Sequence, residues 1–473
     1  MLKRTRQAYH QRIAQVLAER FPETAETHPE LLAHHCTEAG LSGPAVGYWG
    51  RAGQRGIERS AYVEAISHLT KALELLNTLP DTSERTLQEL LLQTTLGPAL
   101  MAIKGFGAPE VQHAYDRARA LCRQVGETPQ LFPVLRGLAT FYLVRAELET
   151  GRELAEELLR LAQRAQDPVM LVAAHSMLGT TLFYRGEIAS ARVHLEQGIA
   201  LYNPQQHHSY AFLEVGTDPG VLCFIYAAHV LWWLGSPDQA LTKSHEALTL
   251  AQELSHPFSL AYALDFAALL HRLRREEQAA QERAEAAMTL STEQGFPLWL
   301  AIGMILRGGT LAAQGQRSEG IGQMRQGLAV FQATGAAVGR PYFLTLLAEV
   351  YGRGGQTEEG LSALDEALAA VQKTGERWCE AELYRCRGEL MLARSTEHEA
   401  EAEACFHRAL DVARHQLAKS LELRAALSRS RLWQQQGKRE ETRQLLAEIY
   451  GWFTEGFNTA DLQEARALLD ELS

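Results

Sequence analysis

The six cysteines of this chain (Cys36, Cys122, Cys223, Cys379, Cys386 and Cys405) are scattered, with no C-x-x-C pair. No zinc knuckle is visible, and isolated thiols imply reduced cysteines in a cytoplasmic protein. A surplus of positive charge is missing as well: 46 Lys and Arg stand against 57 Asp and Glu, giving a formal charge of -11 and a pI of about 5.9. Phosphate binding needs a basic excess, so general attraction to nucleic acid or anionic membranes is not expected. Long apolar runs are also absent. The most apolar, "VLCFIYAAHVLWWLG" (221–235), contains His229 and falls short of the roughly 20 residues a membrane span needs. The N-terminal "MLKRTRQAYHQRIAQVLAER" is basic and then amphipathic, without the continuous apolar stretch of a signal peptide. Neither a G-x-x-x-x-G-K-[ST] loop nor an H-E-x-x-H pair occurs.

What is present is ample apolar material, 46% of the residues against 22% charged, enough for a fully folded chain. At 473 residues the chain is too long for one ordinary core unless it is a repeat array. Apolar residues recur at helical spacing almost everywhere and no alternating β-branched run is long enough for a strand, so the fold class is all-α. The helices are short and punctuated by turns such as "GFGAPE" (105–110), "SHP" (255–257), "GFP" (295–297) and "GRGGQ" (352–356). Aligned against itself, the central part repeats at a step of 40: Ala240, Ala280, Gly320 and Gly360, then Gly235, Arg275, Gly315 and Gly355, then Ala247, Ala287, Gly327 and Ala367. Small residues at matched positions let helices approach closely, which predicts helix hairpins stacked into a solenoid. In "ELSHPFSLAYA" (253–263), Pro257 opens a helix in phase with Pro297, and His256 holds the place of Phe296, a hairpin boundary and not a catalytic histidine.

Within each unit the pattern resembles the tetratricopeptide repeat. The match is carried by Leu178, Gly179, Leu182, Gly186, Ala191, Leu195 and Pro204, by Ala402, Phe406 and Ala409, and near the start by Ala45, Trp49 and Ala52 followed by Ala65, Leu69 and Ala72. The resemblance implies a right-handed superhelix of helix hairpins, here with units nearer 40 residues than the usual 34. The expected organisation is a helical junction segment over 1–43, helix-hairpin repeats over 44–204, an insert at 205–218, repeats over 219–456, and a capping helix over 457–473.

The segment "YHQRIAQVLAERFPETAETHPELLAHHCTEAGLSGPAVGYWGRAGQRGIERSAYVEAISHLTKALELL" and the closing "LWQQQGKREETRQLLAEIYGWFTEGFNTADLQEARALLDEL" resemble the tetratricopeptide tail of large bacterial signal-transduction ATPases, many of which carry a class III adenylate or guanylate cyclase domain. The catalytic parts of that family are absent here.

In tetratricopeptide arrays the first helix of each hairpin lines the concave groove. Counting from Gly179, Ala228, Ala268 and Ala348, this resemblance puts Phe183, Tyr184, His229, Trp232, Trp233, Arg272, Tyr342 and Arg353 near that groove. Aromatic and Arg side chains anchor peptides in such surfaces. For the two tryptophans, packing between hairpins is the competing assignment, and Trp232→Ala should distinguish them: weaker partner capture with near-normal helicity on one reading, a melted fold on the other. The Asn and Lys clamp by which some such domains hold a peptide carboxylate is not apparent.

The remaining polar clusters read more simply. His34, His35 and Cys36 are adjacent, and residues one apart point about 100° away from each other, whereas ligands on a helix want i, i+4 spacing. His207 and His208 form a similar pair in the insert. "STEHEAEAEACFH" (395–407) suits a helix start with a wet outer face. Arg51, Arg55 and Arg59 form one basic stripe and "RLRREE" (272–277) a second basic spot, each expected to be a solvated or domain-contacting face.

The expectation is therefore a non-catalytic scaffold or sensor with no cofactor and no metal. It would bind a protein or peptide partner, with a small effector as a further option, and regulate an ATPase or cyclase module. Direct nucleic-acid and membrane binding are not expected. Alternatives are an effector-sensing arm of an ATPase-type transcription activator, and a helical-toroid hydrolase or lyase, for which no nucleophile, base and oxyanion set can be named.

Overall fold

The structure is a computed structural model that describes residues 2–126, 128–204 and 217–472. Among the described residues there is no strand, and 24 α-helices follow one another. The first eight are α1 (Leu2–Arg20), α2 (Pro22–Thr27), α3 (Pro29–Ala39), α4 (Ser42–Glu58), α5 (Tyr62–Leu76), α6 (Ser83–Lys104), α7 (Pro109–Val125) and α8 (Leu131–Val144). Next come α9 (Leu148–Ala165), α10 (Pro168–Tyr184), α11 (Ile188–Leu201), α12 (Pro219–Trp233), α13 (Pro237–Glu253), α14 (Pro257–Leu273), α15 (Glu277–Gln294) and α16 (Pro297–Ala313). The last are α17 (Arg317–Ala333), α18 (Arg340–Arg353), α19 (Thr357–Thr374), α20 (Glu380–Arg394), α21 (Glu399–His415), α22 (Lys419–Gln435), α23 (Arg439–Tyr450) and α24 (Ala460–Leu472). Of the insert expected at 205–218, residues 205–216, with His207 and His208, lie outside the described residues.

Two compact units divide the chain, one of residues 2–141 and one of residues 142–204 and 218–472. In the first, the hairpin α4/α5 buries Ala45, Trp49, Ala52, Ala65, Leu69 and Ala72, the small and large positions that carried the repeat resemblance. Tyr115 fills the space between α6 and α8. A Cβ on Gly97 or Gly137 would fall 2.3 and 2.1 Å from its ring.

The second unit is a run of hairpins in which even-numbered helices from α10 to α22 come first and odd-numbered ones second. Proline starts the first helices at Pro168, Pro219, Pro257, Pro297 and Pro341, where its fixed φ is already helical and its missing N–H would have had no partner. His256 and Phe296 are buried N-cap residues at the same place in successive hairpins, and His256 Nδ1 lies 2.8 Å from Ser259 Oγ.

The first helices α10 to α18, and α22, are each followed by a left-handed residue, whereas α20 ends at the extended Ser395. Gly235, Arg275, Gly315 and Gly355 have φ of 88°, 63°, 97° and 77°. The following N–H reaches back to the last turn, as in Ser236 N to Leu231 O (2.8 Å) and Gln356 N to Tyr351 O (2.9 Å), which satisfies carbonyls left open at a helix C-terminus. The second helix then packs through its small residues. A Cβ on Gly320 would sit 2.4 Å from the Gly308 carbonyl oxygen, so α16 and α17 touch backbone to backbone.

Hairpins five apart also meet. Val144 O accepts from Ala337 N (2.8 Å) and Val338 N (3.0 Å), and Tyr184 O from Arg377 N (2.9 Å). Trp232 O accepts from Ser420 Oγ, and across four hairpins Leu273 O accepts from Arg424 Nη2. The C-terminal loop does the same at a helix start: Glu455 Oε1 accepts from Asp238 N and Gln239 N, each at 3.1 Å. One turn of the superhelix thus takes about five hairpins, and the next turn satisfies open carbonyls and N–H groups of the previous one.

Candidate functional site

This tight pitch decides where the eight candidate side chains go. Seven of them, all but the exposed Arg353, are buried. They separate into three groups.

His229, Trp232 and Trp233 belong to a packed interior. Trp233 Nε1 donates to Trp378 O at 2.8 Å, and the Trp233 and Trp378 rings lie 5.2 Å apart. Trp232 is 2% exposed, edge-on to Trp233 at 4.8 Å with the Arg424 guanidinium 4.9 Å above its ring. His229 donates from Nδ1 to Ile225 O at 2.9 Å, and burial pulls its pKa down to about 4. The expectation that these three lie near an open groove is corrected to this extent: all three are buried, packed between hairpins under the following turn.

Arg272, Tyr342 and Arg353 line a cleft of about 360 Å³ built from α14, the start of α15, α18, α20, α22 and α24. Six arginines and six carboxylates face it, and most of them are paired. Arg385 donates to both oxygens of Glu382 (2.9 and 2.7 Å) and to Glu349 (3.0 Å), and pairs with Glu389 (2.6 Å). Arg424 donates to Asp461 (2.8 Å), and Arg272 to Glu277 (2.5 Å) and Glu349 (3.4 Å). Arg385 and Arg424 outweigh the burial of Glu382 and hold its carboxyl down at about 2. Arg353 alone of the six arginines has no hydrogen-bonding or ion-pair partner among the described residues.

Phe183 and Tyr184 face a second cavity, about 60 Å³, with Tyr226, Tyr262, Phe266, Trp299 and Trp378. Its tyrosines bond to one another, Tyr184 Oη to Tyr226 Oη at 3.1 Å and Tyr226 Oη to Tyr262 Oη at 2.6 Å, and burial pushes all three phenols up. Asp265 also lines this cavity. Burial alone pushes its carboxyl well above the usual range.

A second buried acid stands beside Trp378. Glu376 Oε1 accepts from Gly339 N (2.8 Å) and Trp378 Nε1 (2.6 Å), while Oε2 has no partner among the described residues. Burial raises this carboxyl to about 7. A pKa higher in the folded than in the unfolded state gives stability that is full below the ordinary carboxylate range, about 4.5, and lost as pH rises through 7. Glu376→Gln keeps the acceptor and removes the titration. Urea unfolding should find it more stable than the parent by about 1–3 kcal/mol at pH 8, the two converging below pH 5. A less stable variant at pH 8 would mean that the carboxylate is ionised and well paired.

No family model matches the chain. Over 427 residues it is 24% identical to an uncharacterized protein of Rhizobium meliloti (strain 1021), a match covering 90% of this chain and 41% of that protein. The chain thus spans less than half the length of the curated relative it matches. Among solved structures, the Rap protein complexed with competence and sporulation factor superposes with a TM-score of 0.57 at 12% identity, covering 79% of this chain and 99% of that one. The APC/C heterotetramer Cut9–Hcn1 gives 0.50 at 12% identity, covering 98% of this chain and 86% of that one. The fold is tetratricopeptide-like.

The other polar clusters singled out in the sequence meet near neighbours. His34 and His35 lie against His10, with His10 Nδ1 and His35 Nδ1 2.8 Å apart. The acidic stretch at 395–407 disperses: His398 faces Glu401 (3.1 Å), His407 faces Asp411 (3.5 Å), and Glu403 accepts from Trp433 Nε1 (2.7 Å). Arg51 lies over the Tyr48 ring at 4.4 Å, and Arg55 donates to Glu26 O. In "RLRREE", Arg274 donates to Pro237 O (2.6 Å) and Arg275 pairs with Glu464 (2.9 Å). Among the described residues no helix is long and apolar enough to cross a membrane, and no three His, Cys, Asp or Glu side chains converge as metal ligands would.

Proposed function

We propose that the chain is a non-catalytic tetratricopeptide-like scaffold that takes a protein or peptide partner in the Arg-lined cleft, works in the cytoplasm, and in a longer protein regulates an ATPase or nucleotide-cyclase module. The carrying observation is the cleft itself. Its walls come largely from the first helices α14, α18, α20 and α22, and six arginines and six carboxylates line it, suited to the carbonyls, N–H groups and charged side chains of an extended chain. Arg353 is the exposed cation left open for an acidic side chain or terminal carboxylate. The length of the relative beyond the matched stretch leaves room for a fused module.

Selection of arrayed random decapeptides on the purified chain tests the first half. Acidic peptides should be enriched, and Arg353→Glu should weaken the best of them about tenfold and flatten the salt dependence, with thermal stability unchanged. No enrichment, or equal binding by the variant, would refute cleft binding. For the second half, deleting this segment from a protein that carries both parts should change the module's basal nucleotide turnover; an unchanged rate removes the regulatory role.

A further inference from the structure

We propose that the aromatic cavity of the second unit binds a small organic ammonium group, with Asp265 as its counter-ion. The inference is independent of what the Arg-lined cleft takes.

Asp265 sits in "FSLAYALDFAALL" on α14, forty residues before Ile305, which fills the same position of the next first helix with a buried apolar side chain. Ile225, forty residues earlier, is buried and apolar too, so the first helices on either side of α14 fill this place without a polar group. Asp265 is 0% exposed, and neither carboxyl oxygen has a hydrogen-bond partner among the described residues. Leaving such a group unsatisfied in an apolar setting costs on the order of several kcal/mol, so a partner that arrives from outside is strongly favoured.

The surroundings specify that partner. No Arg, Lys or His lines the cavity, and its three tyrosine hydroxyls are bonded among themselves. Nothing on the walls can donate a cation to Asp265. The walls are aromatic: Tyr262 and Trp299 lie 4.1 Å apart, and Tyr226 and Phe266 5.4 Å apart. Aromatic faces attract cations, and an ammonium group brings both the charge and the N–H donors that the carboxylate lacks. A space of about 60 Å³ holds roughly four non-hydrogen atoms, the size of methyl- to propylammonium or of the end of a longer amine.

The test uses the full chain at pH 7.5, titrated with methyl-, ethyl- and propylammonium chloride at constant ionic strength, with methanol, ethanol and propan-1-ol as neutral counterparts. Binding is read by calorimetry and by the fluorescence of Trp299 and Trp378. At least one alkylammonium should bind saturably and raise the melting temperature, with its alcohol about tenfold weaker or more, the ratio expected for one charge-assisted hydrogen bond. Asp265→Asn and the similarly branched Asp265→Leu should each lose about tenfold or more of that binding. Asp265→Leu should melt no lower than the parent, because it restores the apolar repeat pattern. No saturable ammonium binding by the parent, equal binding of alcohol and ammonium, or ammonium binding that survives in Asp265→Leu overturns the proposal. Should both variants fail to fold, the ammonium-to-alcohol ratio of the parent decides.

Discussion

Trp378→Ala is expected to lower the unfolding free energy by about 3–5 kcal/mol, the range for removing a large buried aromatic side chain. Trp378 precedes α20, yet its ring touches residues of three other first helices: Phe183 (5.1 Å) and Tyr184 (5.8 Å) from α10, Trp233 (5.2 Å) from α12 and Tyr342 (5.1 Å) from α18. It also donates from Nε1 to Glu376 and accepts at its carbonyl from Trp233. The substitution therefore opens a void where one superhelical turn meets the next. Trp378→Phe keeps most of the ring but leaves Glu376 with one donor fewer, and should cost about 1–3 kcal/mol. Urea unfolding followed by near-ultraviolet dichroism measures both. A loss below about 1 kcal/mol for Trp378→Ala would mean that the turns are not held together at this ring. Trp232→Ala falls in the same class, because Trp232 is buried and stacked beneath Arg424; a loss of folding, not of partner capture alone, is now the expected result.

Features with a local cause were legible in the sequence. The 40-residue step found Gly235, Arg275, Gly315 and Gly355, and all four occupy the left-handed turn that ends a first helix. The same step found Ala240, Ala280, Gly320 and Gly360, all buried where helices meet. Pro257 and Pro297 start helices in phase. The pitch of the superhelix was not legible. Contacts such as Tyr184 with Arg377 and Trp378 join residues more than 190 apart, and no periodicity within a hairpin reports them. Inner-face aromatics look the same in sequence whether they border an open groove or meet the next turn, so Trp232 and Trp233 could be placed on the right helices without their partners being known. Trp378 and Glu376 lie in a connection between helices, outside the positions the repeat marks. Asp265 had one signal, an acid at the register of Ile305 within an apolar helix, visible only once the two repeats are superposed.

Turn-to-turn contact changes how the array should unfold. In an open solenoid each repeat touches only its neighbours and stability is a sum of local terms. Here α22, α24 and the loop before α24 reach back to α12, α13 and the end of α14 through Ser420, Arg424, Glu455 and Asp461. The C-terminal hairpins therefore support residues near 235 and 275 as directly as their chain neighbours do.

Arg385→Ala tests the charged side of that closure and should cost about 3–5 kcal/mol, the range for breaking a buried ion pair by removing one partner. Glu382 would retain only Arg424, at 3.5 Å, Glu349 only Arg272, at 3.4 Å, and Glu389 the Ser428 hydroxyl, at 2.7 Å, with Arg431 at 3.8 Å. The loss comes mainly from buried carboxylates left short of donors, so removing charge from both sides should restore most of it. Arg385→Met with Glu382→Leu is expected within about 2 kcal/mol of the parent, since apolar replacement of a buried pair is often near neutral. Acid supplies a second readout. A carboxyl held at about 2 in the folded state and near 4.5 when unfolded adds stability that is complete above the unfolded value and disappears as pH falls from about 4.5 to 2. The gap between the parent and Arg385→Ala should therefore narrow from pH 6 to pH 3 in urea titrations. A gap that stays constant or widens would show that Arg385 acts through packing of its aliphatic stem and not through the carboxylates around it.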